Sequence, residues 1–421
     1  MRESRPNLGS MARHRVVIVG GGFGGLNAAK DLRRADVDVT LIDRTNHHLF
    51  QPLLYQVATG GLSPADIASP IRHILRRQKN TTVLMDTVLS IDAHRRMVRG
   101  VHTETPYDTL IVATGAGHHY FGNDAWEEDA PGLKTLDDAT LIRGRILESF
   151  ERAERGEDVS LSFVVIGGGP TGLEMAGAIA EMANHTLKQE FRSIDPRRAH
   201  VLLVEAADRV LLPYPVELSA KAKKQVENLG VEVRLGWRVE DIDGGTITMT
   251  DGEHTETVTS GVAVWAAGVR AAPLARTLEA AGATLDRAGR VVVGHDLTVP
   301  GHPEVFVIGD AAAVEHGDGL VPGTSPAAIQ MGKYAAKTIR ARIAGRAAAP
   351  FRYRDKGALA TIGRSAAVAD LGPLHFSGWP AWVAWLAIHI YFLIGFENRL
   401  LVMIQWSLNY ITRNRSARLI R

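Results

Sequence analysis

Two glycine-rich loops, each directly after an apolar run, are the part of this sequence best suited to chemistry. The first spans residues 20–25 and the second residues 167–172. The pattern Gly-x-Gly-x-x-Gly between a strand and a helix lets a pyrophosphate approach the backbone and rest on the positive end of the helix. Its glycines are Gly20, Gly22 and Gly25 in the first loop and Gly167, Gly169 and Gly172 in the second. Two such loops predict two bound dinucleotides, the arrangement that passes a hydride from a nicotinamide to a flavin; a tight turn without a ligand is the alternative.

An acidic residue ends the next apolar run after each loop. These acids are Asp43 and Glu205, and an acid at this point commonly accepts a hydrogen bond from a ribose hydroxyl. Glu205 follows its loop at a longer interval than the usual ~20 residues, so we expect a long helix through residues 175–194. A carboxylate there repels a 2′-phosphate and favours NADH. Arg209 argues the other way, and a solvent-facing glutamate is the alternative.

Three further apolar runs end at positions suited to a cofactor. Residues 109–115 end in Thr114 and Gly115. Residues 261–268 have a similar pattern, an apolar run that ends in Gly268. Residues 305–310 end in Asp310, which is placed to accept a hydrogen bond from a ribityl hydroxyl of a flavin. We therefore expect a flavin-binding domain interrupted by a nicotinamide-binding domain.

The composition excludes several classes of protein. The 421 residues are 45% hydrophobic and 22% charged, with a net charge of +2, which gives no support for a nucleic-acid partner. There is no cysteine, so neither a redox-active disulfide, nor a sulfur-collecting thiol, nor a thiolate metal site is possible. None of the 16 histidines has metal-ligand spacing, and we predict no metal.

Six motifs in the same order and spacing resemble those of type II NADH:quinone oxidoreductases. They are the first glycine loop and residues 46–55, 113–115, 265–268, 309–310 and 325–332. The likeness covers residues 14–412. It implies noncovalent FAD, hydride transfer from NADH to FAD, and two-electron reduction of a membrane quinone (menaquinone or ubiquinone) without proton pumping.

The resemblance also implies the residues that bind the cofactors. For FAD they are Gly20, Gly22, Phe23, Gly24, Gly25, Asp43, Arg44, Gln51, Val88, Thr114, Gly115, Asp310, Ala327 and Ala328. For NADH they are Gly167, Gly169, Pro170, Thr171, Gly172, Glu174, Glu205 and Gly268.

The quinone-side motif departs from the family pattern, which is often Ala-Gln-x-Ala-x-Gln. Here it reads Ser-Pro-Ala-Ala-Ile-Gln over residues 325–330. The final glutamine, Gln330, is retained, and the resemblance places it with Ala327 beside flavin and quinone, where it would bind a quinone carbonyl. An ordinary amide on a helix surface is the alternative. Pro326 replaces the first glutamine.

Glu174 is the other candidate for catalysis. We expect it in the first turn of the helix after the second loop, facing the place where nicotinamide and flavin meet. The resemblance gives it a contact with the nicotinamide and a role in proton delivery. The alternative is a first-turn acid that complements the helix dipole.

Two residues could form a proton relay to the quinone, Lys356 and His389. Some relatives carry a lysine near the flavin in the C-terminal segment, but Lys356 is the last lysine of this chain. His389 is also a candidate for the quinone site. A solvated lysine, and a buried histidine with a backbone partner, are the alternatives.

The C-terminal segment has the composition of a membrane-surface element. Residues 379–396 are almost wholly apolar, and four of the seven tryptophans lie between residues 379 and 406. The next helix pattern has one apolar face, Leu400, Leu401, Ile404, Leu408 and Ile411, and one polar face, Asn398, Gln405, Asn409 and Arg413. The arginines there are Arg399, Arg413, Arg415, Arg418 and Arg421, without an acid from residue 398 onward. We predict a helix in an anionic membrane surface; a homodimer interface and a spanning helix are the alternatives.

These elements predict an α/β fold with two Rossmann-like dinucleotide-binding domains and a C-terminal amphipathic helical segment for membrane association. The FAD domain is discontinuous and the NADH domain is inserted into it. The predicted boundaries are a disordered leader at 1–13, FAD domain at 14–160 and 273–356, NADH domain at 161–272, and C-terminal region at 357–421. The leader does not look like a signal peptide, so we expect a peripheral protein on the cytoplasmic face of the cell membrane, and we expect a homodimer.

Three functions fit the sequence. The first is a peripheral-membrane NADH dehydrogenase that reduces quinone. The second is a soluble NADH-dependent flavoprotein reductase that feeds a protein electron acceptor. The third is a flavoprotein whose binding of NADH drives association rather than turnover. The motifs and the C-terminal segment together favour the first.

Overall fold

The computed structural model describes residues 13–317, 319–394, 396–412, 415 and 417–420. The predicted leader, apart from Arg13, lies outside the described residues, as do Arg413 and Arg421. Among the described residues, no helix combines the length and the apolarity needed to cross a bilayer.

The α-helices follow the strands closely along the chain. They are α1 (Phe23–Asp31), α2 (Leu54–Ala58), α3 (Pro64–Ile67), α4 (Ile71–Leu75), α5 (Trp126–Asp129), α6 (Leu136–Glu154), α7 (Pro170–Glu181), α8 (Val216–Glu227), α9 (Ser325–Ile343), α10 (Trp379–Phe392) and α11 (Phe396–Thr412). Short 3₁₀ segments lie at Gln51–Leu53, Pro196–Arg198, Pro273–Ala281 and Gly309–Ala311, and a π-helical turn lies at Met182–Thr186.

Contacts divide the chain into two compact units, each built from separate segments. Unit 1 contains the described residues up to 48, residues 70–116 and residues 270–354; unit 2 contains residues 49–69, 117–269 and the described residues from 355 onward. Residues 49–69 and 117–160, which we predicted in the first domain, thus belong to unit 2, because α2 and α6 pack against each other and both contact other elements of that unit.

Unit 1 is built on a six-stranded sheet within the described residues. Its strand order is Thr298–Val299, His302–Val307, Thr109–Val112, His14–Val19, Val37–Asp43 and Thr81–Met85. All neighbours are parallel except the first pair. Ile18 lies opposite Leu41 and Ile111, and all three are fully buried. The apolar runs read as strands are therefore the core of the sheet, as in parallel sheets covered on both faces.

Smaller sheets complete unit 1. Antiparallel strands lie at Val88–Asp92, Met97–Gly100 and Glu104–Pro106 and at Glu315–His316 and Gly319–Leu320, and a parallel pair lies at Val291–Val292 and Ala312–Ala313. Helix α1 packs closely on α9, where a Cβ at Gly332 would lie 2.2 Å from the carbonyl oxygen of Gly24. Glycine is required at this crossing because no side chain fits between the two backbones.

Unit 2 is built on a four-stranded parallel sheet. Its order is Val231–Leu235, His200–Glu205, Ser162–Ile166 and Val262–Trp265. Antiparallel strands at Arg238–Asp243, Thr246–Thr250 and Thr255–Thr259 form a second sheet, and those at Ala358–Gly363, Ala366–Leu371 and Leu374–Ser377 a third, on which α10 packs. Among the described residues, further short strands lie where the chain passes from one unit's segments to the other's, at His47–Leu49, Ala68–Pro70, Ala116–His118 and Val269–Ala271. The predicted α/β fold with two Rossmann-like parallel sheets is confirmed.

The helix predicted through residues 175–194 is wrong beyond Thr186. Helix α7 ends at Glu181 and the π turn ends at Thr186. The carboxylate of Glu154 accepts backbone N–H groups of Arg192, Ser193 and Ile194 at 2.8, 2.9 and 3.2 Å. These donors are therefore taken by a distant side chain and are not available to a continuing helix.

Candidate functional site

The first glycine loop has the geometry of a phosphate-binding turn. Gly20 has φ +105°, and a Cβ there would lie 2.3 Å from the carbonyl oxygen of Ala113. A Cβ at Gly25 would lie 1.9 Å from the carbonyl oxygen of Gly20. At Gly22, by contrast, a Cβ would meet no described atom within 4 Å. Two glycines are thus required by the chain itself, and the middle one leaves room for a ligand to approach the start of α1.

The second loop, in unit 2, repeats this geometry. Gly167 has φ +111°, and a Cβ there would lie 2.7 Å from the backbone nitrogen of Ala267. A Cβ at Gly172 would lie 1.8 Å from the carbonyl oxygen of Gly167, whereas one at Gly169 would meet no described atom within 4 Å. Each unit therefore carries one loop that fits a pyrophosphate at a helix N-terminus.

The acid after each loop holds the loop in place. Asp43 accepts hydrogen bonds from the backbone N–H groups of Gly21 at 2.6 Å and Thr45 at 2.7 Å. Glu205 accepts from those of Gly168 at 2.5 Å and Ala207 at 2.8 Å. In each case one carboxylate oxygen faces the loop and the other binds the backbone two residues further on. Both acids are half-buried, so neither is merely a solvent-facing strand end.

Several of the predicted FAD residues lie at one edge of the six-stranded sheet in unit 1. Strands His14–Val19, Thr109–Val112 and His302–Val307 are parallel neighbours. Their carboxyl ends carry, in turn, the first glycine loop, Thr114 with Gly115, and Asp310. Ligands of open α/β sheets bind at this edge. Phe23 begins α1, Ala327 and Ala328 lie buried near the start of α9, Val88 begins its strand, and Arg44 is exposed beside Asp43.

Gln51 is the predicted FAD residue that belongs to unit 2. Its Nε2 donates to the carbonyl oxygen of Lys134 at 3.1 Å. The predicted NADH residues all belong to unit 2. Pro170 and Thr171 open α7, and Gly268, with φ +69°, follows strand Val262–Trp265 next to the loop strand.

His48 is a site residue that the sequence did not reveal. Its Nδ1 lies 2.9 Å from the carbonyl oxygen of Gly21, and its ring meets that of Phe23 edge to face at 5.0 Å. Burial lowers the pKa of His48 to about 4, so the neutral ring donates its Nδ1–H to this carbonyl. His48 and Asp43 together fix both polar groups of Gly21. The motif at residues 46–55 was the only sequence signal.

A cavity of about 280 Å³ lies within unit 2. Its walls combine three tryptophans with buried polar groups, among them Tyr55, Glu174, Glu181, Trp385, Trp406 and Arg415. The mixture of aromatic surface with a few convergent polar atoms is typical of a site for a largely apolar small molecule.

Glu174 lies in this cavity, but not in the first turn of its helix. It is the fifth residue of α7, whose first turn contains no acid. The predicted placement in the first turn is therefore wrong, and so is the alternative of a dipole-complementing acid, because the dipole effect is confined to the first turn. Burial raises the pKa of Glu174 well above its usual range, against one hydrogen bond from the Thr361 backbone. The carboxyl group thus keeps its proton to higher pH than an exposed glutamate.

A chain of hydrogen bonds links the cavity's aromatic residues. Nε1 of Trp406 donates to Oε1 of Gln56 at 2.7 Å, and Nε2 of Gln56 donates to the hydroxyl of Tyr55 at 2.9 Å. Burial raises the pKa of Tyr55 well above its usual range. Tyr55 therefore keeps its proton and, with Glu174, gives the cavity a second buried acid.

Gln330, Lys356 and His389 have other surroundings. The side-chain amide of Gln330 donates to and accepts from the backbone of Arg354, at 3.0 Å each way. Lys356 is exposed. Nδ1 of His389 donates to the carbonyl oxygen of Trp385 at 2.7 Å, and burial lowers the pKa of His389 to about 4. His389 thus has the backbone partner that we gave as its alternative, and it does not line the cavity formed by the described residues.

Comparison with known proteins places this geometry in a family. Residues 14–332 match the pyridine nucleotide-disulphide oxidoreductase family, and residues 356–414 match the NDH2 C-terminal domain. The chain is 51% identical to the type II NADH:quinone oxidoreductase Ndh of Mycobacterium tuberculosis, over 98% of this chain and 91% of that protein. This chain belongs to the type II NADH:quinone oxidoreductase family. The resemblance predicted from six motifs is confirmed.

Solved structures share the fold of this family member. NDH2 of Plasmodium falciparum, solved in complex with NADH, has a TM-score of 0.86 at 20% identity, over 94% of this chain and 98% of that chain. The sulfide:quinone oxidoreductase of Aquifex aeolicus has a TM-score of 0.74 at 20% identity, over 92% of this chain and 91% of that chain. At these identities the likeness concerns the fold alone.

Proposed function

We propose that this protein oxidises NADH and reduces a membrane quinone through one bound FAD, without pumping protons. The observation that carries the proposal is the pair of matched loops, one in each unit, each closed by an acid at the end of the neighbouring strand. Family membership supplies the chemistry that these loops serve. FAD, when bound, accepts the hydride and supplies two electrons to the acceptor.

The chain's own residues bind and orient these groups. The loop at residues 20–25, with Asp43 and Asp310, binds FAD in unit 1, and the loop at residues 167–172, with Glu205, binds NADH in unit 2. His48 keeps the first loop in its binding geometry through the Gly21 carbonyl. Glu205 favours NADH over NADPH because its carboxylate repels a 2′-phosphate.

The cavity in unit 2 receives the quinone. Its tryptophans provide an apolar lining, and Glu174 and Tyr55 provide two acids whose pKa values are raised by burial. Reduction of a quinone consumes two protons, so a glutamate that keeps its proton to higher pH than an exposed one suits this step. Gln330, in α9, holds the backbone of Arg354 against that helix. Lys356 and His389 have no part in the proton relay of this proposal.

The helix α11 attaches the protein to the membrane surface. Its residues Leu400, Leu401, Ile404, Leu408 and Ile411 are 44% to 77% exposed. The side chains of Asn398 and Asn409 instead donate to groups of unit 2, at Ser69 and Gly61. This apolar outer face, with Arg399 near its start, fits an anionic lipid surface, and we place that surface on the cytoplasmic side.

One assay tests the function. The protein with FAD should oxidise NADH slowly alone and rapidly with a quinone analogue, and NADPH should be a poor substitute. In proteoliposomes loaded with quinone, turnover should generate no membrane potential. Oxidation of NADH that no quinone accelerates, but that a ferredoxin-type protein does, would contradict the proposal and favour the soluble reductase.

A further inference from the structure

The chain returns to the cavity after α11. Arg415 lies in this last segment, with a side chain only 14% exposed. Its guanidinium pairs with the carboxylate of Glu181 at 3.2 Å and donates to the carbonyl oxygen of Thr59 at 3.2 Å. Arg415 and Glu181 both line the cavity. A buried cation is thus fixed by two partners from distant parts of the sequence.

Glu181 connects this cation to the helix that carries Glu174. Glu181 is the last residue of α7, two helical turns after Glu174, so both carboxyl groups lie on one face of the helix. Its other oxygen accepts the backbone N–H of Arg364 at 2.5 Å, in the turn between two strands of the C-terminal sheet. The end of α7 is thereby fastened from two sides.

Thr59 connects the same cation to the helix that carries Tyr55. Thr59 follows α2 directly, and carbonyl groups at a helix C-terminus carry partial negative charge. Arg415 therefore bridges the ends of α2 and α7, whose side chains Tyr55 and Glu174 supply the buried acids of the cavity.

We propose that Arg415 is a positioning residue for quinone reduction, which holds α2 and α7 at the spacing that brings Tyr55 and Glu174 to one cavity. The proposal rests on the proposed function, in which the quinone enters this cavity. Lysine at this position would keep the charge, but a single ammonium group does not reproduce the planar, forked geometry of a guanidinium with two partners. Loss of the cation would leave the carboxyl group of Glu181 without its ion-pair partner on the same helix face as Glu174.

A second arginine of the segment provides the control. Arg418 pairs with Glu190 and also donates to the carbonyl oxygen of Arg415. Neither Arg418 nor Glu190 lines the cavity. Glu190→Gln removes this second ion pair without touching the cavity or the bond from Arg418 to Arg415, so it reports the effect of loosening the segment alone.

The test compares Arg415→Gln, Arg415→Lys and Glu190→Gln as full-length proteins with FAD. Steady-state kcat and KM are measured with a quinone and with ferricyanide, and binding is measured by flotation with anionic vesicles. Arg415→Gln should lower kcat with quinone by about ten- to a hundredfold, the scale expected for displaced catalytic groups. Its ferricyanide activity, FAD content and flotation should match the wild type. Arg415→Lys should recover part of kcat, and Glu190→Gln should behave as wild type.

The double variant Glu181→Gln with Arg415→Gln covers the case in which the single variant does not fold. It replaces the pair by two neutral amides, so no unpaired buried charge remains, and it should fold and show the same selective loss of kcat with quinone. Unchanged kcat with quinone in either variant, or an equal loss with ferricyanide, would overturn the positioning role. A rise in KM alone would also overturn it, because that result indicates substrate access. Failure of the wild type to reduce quinone would instead refute the proposed function.

Discussion

Two glycines of the second loop are needed for different reasons: Gly172 for the packing of the chain, and Gly169 for the binding of NADH. Gly172→Ala places a Cβ 1.8 Å from the carbonyl oxygen of Gly167, more than 1 Å inside any tolerated contact. The start of α7 must then move off its strand, and we expect a loss of about 3 kcal/mol in the free energy of unfolding, at the upper end for overpacking. Gly169→Ala meets no described atom, and its φ of −73° and ψ of −178° suit alanine. Its stability should stay within about 0.5 kcal/mol of wild type, because a stiffer unfolded chain offsets a weaker N-cap.

The two variants should therefore lose different properties, one its affinity for NADH and the other its stability. Gly169→Ala should keep its melting temperature but lose at least about tenfold in NADH affinity, or 1.4 kcal/mol, because the methyl group occupies the space of the pyrophosphate. Gly172→Ala should have a lower melting temperature than the wild type. Thermal unfolding and the KM for NADH with ferricyanide measure both effects, and FAD content serves as the control, since the FAD loop lies in unit 1. Equal destabilisation by both variants, or unchanged NADH affinity in Gly169→Ala, would refute this account of the loop.

Four other changes test the remaining assignments. Glu205→Gln should narrow the preference for NADH over NADPH, measured as the ratio of kcat/KM; a wild type that uses both equally would exclude the role of Glu205. Burial raises the pKa of Glu174 in the folded protein, so its contribution to stability is complete below the pKa that Glu174 has in the unfolded chain and is lost as pH rises toward the folded-state pKa. Glu174→Gln should therefore raise Tm at pH 8 more than near pH 4. The same variant should slow quinone reduction. Gln330→Leu removes both hydrogen bonds to the Arg354 backbone, so it should lower Tm but spare both flavin reduction by NADH and reoxidation by quinone in stopped flow; a selective loss of reoxidation would return Gln330 to the quinone side. Leu401→Asp with Leu408→Asp should release the protein from sedimenting vesicles and spare ferricyanide reduction, whereas salt alone should release it only in part; a variant that still sediments would indicate a dimer interface.

Local geometry was predictable from the sequence, and long-range pairing was not. The roles of Gly20 and Gly25 follow from residue type and spacing, because a turn between strand and helix involves only neighbouring residues. The contacts around the cavity join residues far apart in sequence. Trp406 binds Gln56, and Arg415 binds Glu181, and neither pair leaves a periodic pattern in the chain.

The end of α7 shows the same limit. Residues 175–194 contain no proline, so local propensity allowed a long helix. In the segment after the π turn, the carboxylate of Glu154 accepts three backbone donors instead. Capture of backbone donors by a distant acid has no signature in the segment that it affects.

The orientation of α11 joins the sequence pattern to the function. A helical wheel separates its apolar and polar faces correctly but does not say which face meets the protein. In a soluble protein the apolar face is normally the inner one, whereas here the amide of Asn409 donates inward to the carbonyl oxygen of Gly61 at 3.2 Å. Five large aliphatic side chains are consequently left outward, and full burial of each is worth about 1.5–3 kcal/mol. An exposed apolar face of this kind marks contact with a partner or a membrane, and under the proposed function a quinone dissolved in that membrane reaches a protein whose cavity is lined by Trp406 of the same helix.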